Sequence, residues 1–186
     1  ASSKISNIHA DFKLDSDGEY IGIYNTDRNV VDSVSFSTQF PDRSYGRISP
    51  TFYKWAFFSK PSPGSANDSS QTCDGKAALP TILPSGSIFS EPVNIMISSS
   101  DSDCQIYYTL DGSAPDSNSF LYKNNPLLIK QSSVVRACCT RDNYFESDII
   151  TKTYVIENQV SLNIVSLVTP PDNLWDSEYG IYTIGI

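Results

Sequence analysis

The ten residues Ile106-Tyr-Tyr-Thr-Leu-Asp-Gly-Ser-Ala-Pro115 constrain this chain more than any other stretch. An alternating apolar run enters a Leu-Asp-Gly-Ser turn, and a proline follows three residues after the glycine. Asp-Gly between alternating runs is a strong hairpin signal, because glycine accepts positive φ and aspartate bonds nearby backbone amides. The string predicts a turn on a β-sandwich. It contains no nucleophile, no base and no metal-ligand cluster, so it points to a binding or spacer module.

The same punctuation runs along the rest of the chain. Residues 18–25 alternate Tyr20, Gly22 and Tyr24 with Ile21 and Ile23. After the turn Asn25-Thr-Asp-Arg-Asn29, residues 30–38 return as the second arm of a hairpin, with Val30, Asp32, Val34 and Phe36 on one face. A loop from Phe40 to Pro50 leads into the aromatic segment Phe52-Tyr-Lys-Trp-Ala-Phe-Phe58, which ends at Pro61-Ser-Pro-Gly64. Residues 65–79 are polar and small and read as a linker and domain boundary. Beyond Pro80, strands are expected at 92–98, 104–109, 120–122, 127–130, 133–139 and 148–156. Short strands at such spacing suit a sandwich of about seven strands. No segment longer than ten residues shows a 3.6-residue period. The run 160–168 is apolar on both faces and predicts a further strand, buried on two sides. Pro170-Pro-Asp-Asn-Leu-Trp175 predicts one helical turn with Trp175 as an anchor. The fold class is all-β, with two immunoglobulin-like β-sandwich units, the first of them incomplete.

Composition narrows the function. The 186 residues leave room for one domain or two small ones. A net charge of −8 without any Lys/Arg cluster argues against nucleic acid, which demands a basic face. No run approaches the 18 or so apolar residues of a membrane helix, so no transmembrane segment is expected. Only 18% of residues are charged, Ser is frequent, and 11 residues are Tyr. That balance suits sandwiches working at the cell surface or outside the cell. The start, Ala1-Ser-Ser-Lys4, has no apolar core of a signal peptide, so a secreted reading implies a mature form or a fragment. The four cysteines, Cys73, Cys104, Cys138 and Cys139, lack C-x-x-C spacing, and His9 is the only histidine, which argues against zinc. Buried thiols and a single disulfide both fit them. Cys104 shares a face with Ile106 and Tyr108, and Cys139 one with Val135 and Ala137, so Cys104–Cys139 is the pair expected to meet.

Each candidate constellation has a plainer structural reading. A Ser-His-Asp triad would have to use His9, and no glycine-flanked serine elbow accompanies it. Asp15-Ser-Asp-Gly-Glu19 begins like a calcium loop, but the later ligand positions are filled by Tyr20, Ile21 and Gly22. Asp101 and Asp103 sit before a strand without a calcium-loop pattern, and Asp111 with Asp116, which could hold a cation around the Pro115 turn, are expected to cap that turn instead. Paired glycosidase carboxylates have no supporting motif. Aromatic rings are the remaining chemistry. Phe52–Phe58 should divide between core and a wetted edge. On the second unit, Tyr107 should lie on the sheet surface on the side of Arg136. The candidate ligand contacts are therefore Tyr53, Trp55 and Tyr107, with no catalytic, cofactor or metal residue assigned.

Three stretches resemble three modules that occur together. His9-Ala-Asp-Phe-Lys-Leu14, Ser44-Tyr-Gly-Arg47 and Trp55-Ala-Phe-Phe-Ser-Lys-Pro-Ser-Pro-Gly-Ser-Ala-Asn67 make residues 9–67 similar to the C-terminal part of a bacterial lamin-tail-type domain, an immunoglobulin-like sandwich. That family's N-terminal portion has no counterpart, so the chain is expected to start partway through the domain. Gly86, the Ile106–Pro115 string, Tyr122 and Val135-Arg-Ala137 make residues 80–156 resemble the fibronectin-type-III-associated module, also met as a chitobiase C-terminal-like domain. Ile164-Val-Ser-Leu-Val-Thr169, Asn173-Leu-Trp-Asp176 and Gly180-Ile-Tyr182 resemble the start of a CotH-type kinase domain, whose catalytic residues would lie downstream.

These resemblances imply a lamin-tail-type unit over 1–67, a linker over 68–79, a fibronectin-type-III-associated unit over 80–157 and a truncated kinase start over 158–186. They imply a non-catalytic accessory region, a spacer or partner-binding module ahead of a kinase-like domain, in a secreted or surface-attached bacterial protein. The expected partner is a protein or a cell-surface polysaccharide, with self-association through the incomplete first unit. The alternative is a carbohydrate-binding module using surface aromatics. No cofactor is expected.

Overall fold

A computed structural model of the chain describes residues 12–49, 52–157 and 163–182. The chain divides into two compact units, Ala1–Cys73 and Asp74–Ile186.

In the first unit, β1 (Gly18–Tyr24) and β2 (Val30–Ser37) form the expected antiparallel hairpin, with Gly18 opposite Ser37 and a bulge between Ile23 and Tyr24. Its turn closes because the Asn25 side-chain oxygen accepts the Asn29 amide (2.8 Å) and Arg28 takes a left-handed conformation (φ 64°). A second sheet orders β3 (Ser44–Ser49), β4 (Phe52–Phe58) and β5 (Thr72–Cys73) as β3-β4-β5.

Ala56, Phe57 and Phe58 are consecutive and all buried, so β4 does not keep the in–out alternation expected of it. Both of its faces are covered at that point. On one, the Phe57 ring lies 4.8 Å from Tyr45 and 5.0 Å from Phe40, centroid to centroid. On the other, Asn67 reaches over Gly46 and donates to the Arg47 carbonyl (2.7 Å). A Cβ at Gly46 would sit 2.9 Å from the Asn67 amide nitrogen, which accounts for glycine at that position. The Ser-Tyr-Gly-Arg element and the Pro61–Asn67 segment therefore meet in space.

The second unit is a β-sandwich. Its strands are β6 (Gly75–Lys76), β7 (Thr81–Leu83), β8 (Ile88–Phe89), β9 (Val93–Ser98), β10 (Gln105–Thr109), β11 (Phe120–Leu121), β12 (Leu127–Ile129), β13 (Ser133–Thr140), β14 (Tyr144–Phe145) and β15 (Ile150–Ile156). One sheet runs β11-β10-β13-β15-β8 and the other β12-β9-β7, with a short parallel pair β14-β6 beside them. All six strands expected beyond Pro80 form, with ends shifted by one or two residues. Ile82, Ile95, Ile97 and Ile129 from one sheet pack with Ile106, Val135, Ala137, Cys139 and Tyr154 from the other. Tyr154 is fully buried and satisfies its hydroxyl on the Pro84 carbonyl (2.6 Å). Gly86 lies so close to β15 that a Cβ would stand 2.4 Å from the Thr153 carbonyl oxygen.

Four expectations are corrected. Residues 68–79, read as a linker, are partly taken up by structure. Asp68 caps a 3-10 turn over Ser69–Gln71, Thr72–Cys73 pairs with Phe57–Phe58, and Gly75–Lys76 pairs with Tyr144–Phe145. A polar, small-residue segment still has backbone donors and acceptors that a strand edge can satisfy. The Asp111-Gly112 turn forms, but it is not a tight hairpin. The antiparallel partner of β10 arrives only at Phe120, and the turn instead bonds to β13, Gly112 N–H donating to the Val134 carbonyl (3.1 Å). The described part of the 160–168 run, residues 163–168, is not a strand; residues 160–162 lie outside the described residues. Ile164, Val165 and Leu167 are exposed, and Ser166 is tied to β15 by a hydroxyl pair with Thr153 (2.8 Å). β15 is paired with β13 on one edge and, at Val155 and Ile156, with β8 on the other. The helical turn forms as α1 (Asp172–Trp175), but Trp175 is exposed and rests on Tyr182 (5.1 Å between centroids) rather than on a sandwich.

Candidate functional site

Two of the three candidate contact residues, Tyr53 and Trp55, lie on one face of β4 in the first unit. Strand pairing places Arg47 directly opposite Trp55 and Tyr45 opposite Phe57. Antiparallel partners share a face, so these side chains form a ladder across the sheet. Trp55 stacks on Tyr45 (5.5 Å, 23° between planes). The Arg47 guanidinium stands 5.1 Å from the Trp55 ring centre and 5.8 Å from that of Tyr53. Guanidinium over an aromatic face is favourable through the ring quadrupole, more so as water is excluded. Tyr53, at the outer end, is 89% exposed, whereas Trp55 is half-buried.

Arg47 is held from the other side by Asp32 of β2, with which it forms a salt bridge. That hydrogen bond holds the Asp32 carboxyl below the ordinary carboxylate range, against a smaller opposing effect of burial. The pair fastens the hairpin to the β3–β4 sheet. Beside it opens a largely apolar cleft of ≈ 380 Å³, walled by Leu14, Ile21, Val34 and Phe36 on one side and Tyr45 and Trp55 on the other. Elsewhere on the hairpin Ile23, Val30 and Val31 are also exposed.

Sequence reasoning did not single out Arg47 and Asp32 as site residues. A signal was available: Asp32 interrupts the otherwise apolar Val30, Val34, Phe36 stripe. A carboxylate on a face that packs inward demands a cationic or hydrogen-bonding partner.

Tyr107 belongs to the other unit. It is half-buried on the outer face of β10, donating its hydroxyl to Gln105 (3.0 Å). Its cross-strand partner is Cys138, while Arg136 lies on the same face opposite Thr109. Arg136 is committed to the turn, donating to the Gly112 carbonyl (3.1 Å) and to the Thr151 hydroxyl (3.2 Å). The loop 110–119 folds back over this face. Pro115 is buried and the Cys138 sulfur lies 3.7 Å from its carbonyl oxygen. Burial, with a smaller push from Glu146 and Asp116, raises the Cys138 thiol to about 11.

The carboxylates considered as ligands are engaged with protein partners. Asp111 accepts the Ser113 amide (3.0 Å) and hydroxyl (2.6 Å). Asp116 accepts the Asn118 amide (2.9 Å) and the Ser119 hydroxyl (3.0 Å). Both are held below the ordinary carboxylate range, Asp111 chiefly by the Ser113 hydroxyl and Asp116 chiefly by the Asn118 amide. In the 15–19 turn, Asp15 accepts the Asp17 amide (2.9 Å) and Glu19 the Asp15 amide (3.0 Å). Asp101 accepts the Ala78 amide (2.8 Å), and Asp103 pairs with Arg141 (3.0 Å). His9 lies outside the described residues.

Residues 95–154 match the Fn3-associated family, a span running from within β9 into β15. Within the second unit, this stretch is thus similar to a fibronectin-type-III-associated domain. No curated protein and no solved structure matches the chain.

Proposed function

We infer that this chain is a non-catalytic accessory region of a modular protein, and that it positions or docks neighbouring domains. The observation that carries this reading is the fibronectin-type-III-associated domain over residues 95–154. The hydrogen bonding of its characteristic turn supports it. Thr109, Asp111, Ser113 and Arg136 all bond within the turn and its neighbouring strands. Such groups stiffen a sandwich and are not poised toward a reacting centre. The resemblance of residues 9–67 to a lamin-tail-type domain extends the reading, supported by the hydrogen bond from Asn67 to the Arg47 carbonyl between its two motif segments. The resemblance of residues 160–183 to the start of a CotH-type kinase domain supports a position ahead of a kinase-like domain. The cell surface or extracellular space is the setting this implies. The test is turnover of the purified chain on glycosides, esters and ATP. No turnover is expected, and activity abolished by replacing one named side chain overturns the reading.

One observation favours carbohydrate binding as a second reading: Tyr53 is 89% exposed on the ladder that includes Trp55 and Arg47. Titration of soluble polysaccharide fragments, followed by NMR shifts of the Tyr53 and Trp55 rings, decides it. Binding weakened by Tyr53→Ala supports sugar stacking, and unmoved ring signals remove it.

A further inference from the structure

Cys104 and Cys139 approach more closely than packing requires. Their sulfurs are 3.3 Å apart, within hydrogen-bonding reach as thiols. Strand register explains the contact. Gln105 pairs with Thr140 and Ile106 with Cys139, so Cys104, one residue before β10, is the diagonal neighbour of Cys139 on the core face. Cys139 is held in place, its amide donating to the Ser147 hydroxyl (2.8 Å) and its carbonyl accepting the Ser147 amide (3.0 Å). Cys138 points to the opposite face and contacts the Pro115 carbonyl. It is therefore excluded from the pair although it adjoins Cys139 in sequence.

We propose that Cys104 and Cys139 form an oxidisable dithiol, which a small-molecule disulfide converts into an intramolecular bridge between the start of β10 and β13. The two sulfurs need to close by only about 1 Å to reach bonding distance. Exposure sets the order of events. Cys104 is partly exposed and Cys139 is fully buried, so the oxidant meets Cys104 first. Cys104, as thiolate, attacks one sulfur of the small disulfide. That S–S bond breaks, and one small thiolate departs with its electron pair. Cys139 then loses its proton, attacks the Cys104 sulfur of the mixed disulfide and expels the second small thiolate. Two protein thiols are oxidised, one small disulfide is reduced to two thiols, and the two protons lost by the cysteines balance them. Burial pushes the Cys139 thiol up to about 12, which makes this second step the slow one.

The bridge closes a loop that spans most of β10 to β13, which restricts the unfolded chain and should raise stability. The experiment incubates the full chain, natively folded, with excess glutathione disulfide, then maps linkages by mass spectrometry and measures Tm. Wild type and Cys138→Ser are expected to lose the mass of two hydrogen atoms, to show a Cys104–Cys139 link, and to gain on the order of 10 °C in Tm, reversed by a reducing thiol. Cys139→Ser is expected to stop at a glutathione adduct on Cys104. Cys104→Ser, which alters a partly exposed position, is expected to stay unoxidised at Cys139 and supplies the control should Cys139→Ser not fold. Persistently alkylatable Cys104 and Cys139 in the oxidised wild type, a wild-type chain halted as the mixed disulfide, or a link through Cys138 overturns the proposal.

Discussion

Single positions in this molecule are decided by close approach and by charge. Gly86 has no room for a methyl group, because the atoms it would meet are the Thr153 carbonyl oxygen at 2.4 Å and amide nitrogen at 2.8 Å, both backbone. Gly86→Ala is expected to lower stability by about 1–3 kcal/mol through overpacking against β15. Gly64 is the contrast, with nothing within 4 Å of a Cβ and only a positive φ of 74° to oppose it. Gly64→Ala should cost about 1–2 kcal/mol. Urea titration of the two variants checks the ranking. Asp32 makes a charge prediction. Its carboxyl is held low by the Arg47 hydrogen bond, so its contribution to stability is present above the ordinary carboxylate range and lost as pH falls through the lowered value. Arg47 stays protonated throughout. The stability difference between wild type and Asp32→Asn is therefore expected to be full at neutral pH and to shrink in acid. A difference that grows in acid contradicts the pairing.

At the scale of elements, apolar runs of similar appearance reach different ends. The run Val93–Ser98 becomes a central strand with Ile95 and Ile97 essentially inaccessible, whereas Leu167 in the run 163–168 is 89% exposed. The first run has β7 and β12 on its two edges and a facing sheet beneath it. Ile97→Ala should cost about 2–5 kcal/mol through the cavity it leaves. Leu167→Ser should fall within about 0.5 kcal/mol of wild type. Equal effects in thermal unfolding would mean that residues 163–168 are buried in solution. The hairpin β1–β2 is a third case, anchored to its sheet by Asp32 and Arg47 and flanked by the open cleft.

On the scale of the whole molecule, apolar burial is unequally divided. Among the described residues, the buried hydrophobics of the first unit are Ala56, Phe57 and Phe58, and the second unit holds the remaining twelve, from Ala77 to Tyr154. Burial is the dominant favourable contribution to folding, and small units with little of it are marginal. Urea is expected to unfold residues 1–73 at lower concentration than residues 74–157, seen as early loss of Trp55 fluorescence and late loss of amide protection in β9, β10 and β13. A single coincident transition by both probes would show that the two units unfold as one.

What the residues determine by themselves is the class of structure and most of its strands. Alternation, turn residues and the missing 3.6-residue period are local properties, written into neighbouring positions, and they led correctly to an all-β chain, the 18–37 hairpin and six strands beyond Pro80. The meeting of Cys104 with Cys139 was also legible, because strand parity puts each on an inward face. The ladder Tyr45–Trp55–Arg47–Tyr53 was half legible: its aromatics stand out along β4, but Arg47 joins them only through β3 pairing, and Asp32 only through the hairpin lying on that sheet. Tertiary structure alone decided that Asp111-Gly112 turns toward β13, that Cys138 lies beneath Pro115, and that residues 163–168 stay outside the sheets. In each case the outcome depends on which edge or face is still open once the other strands have paired, and that is set by residues remote in the chain.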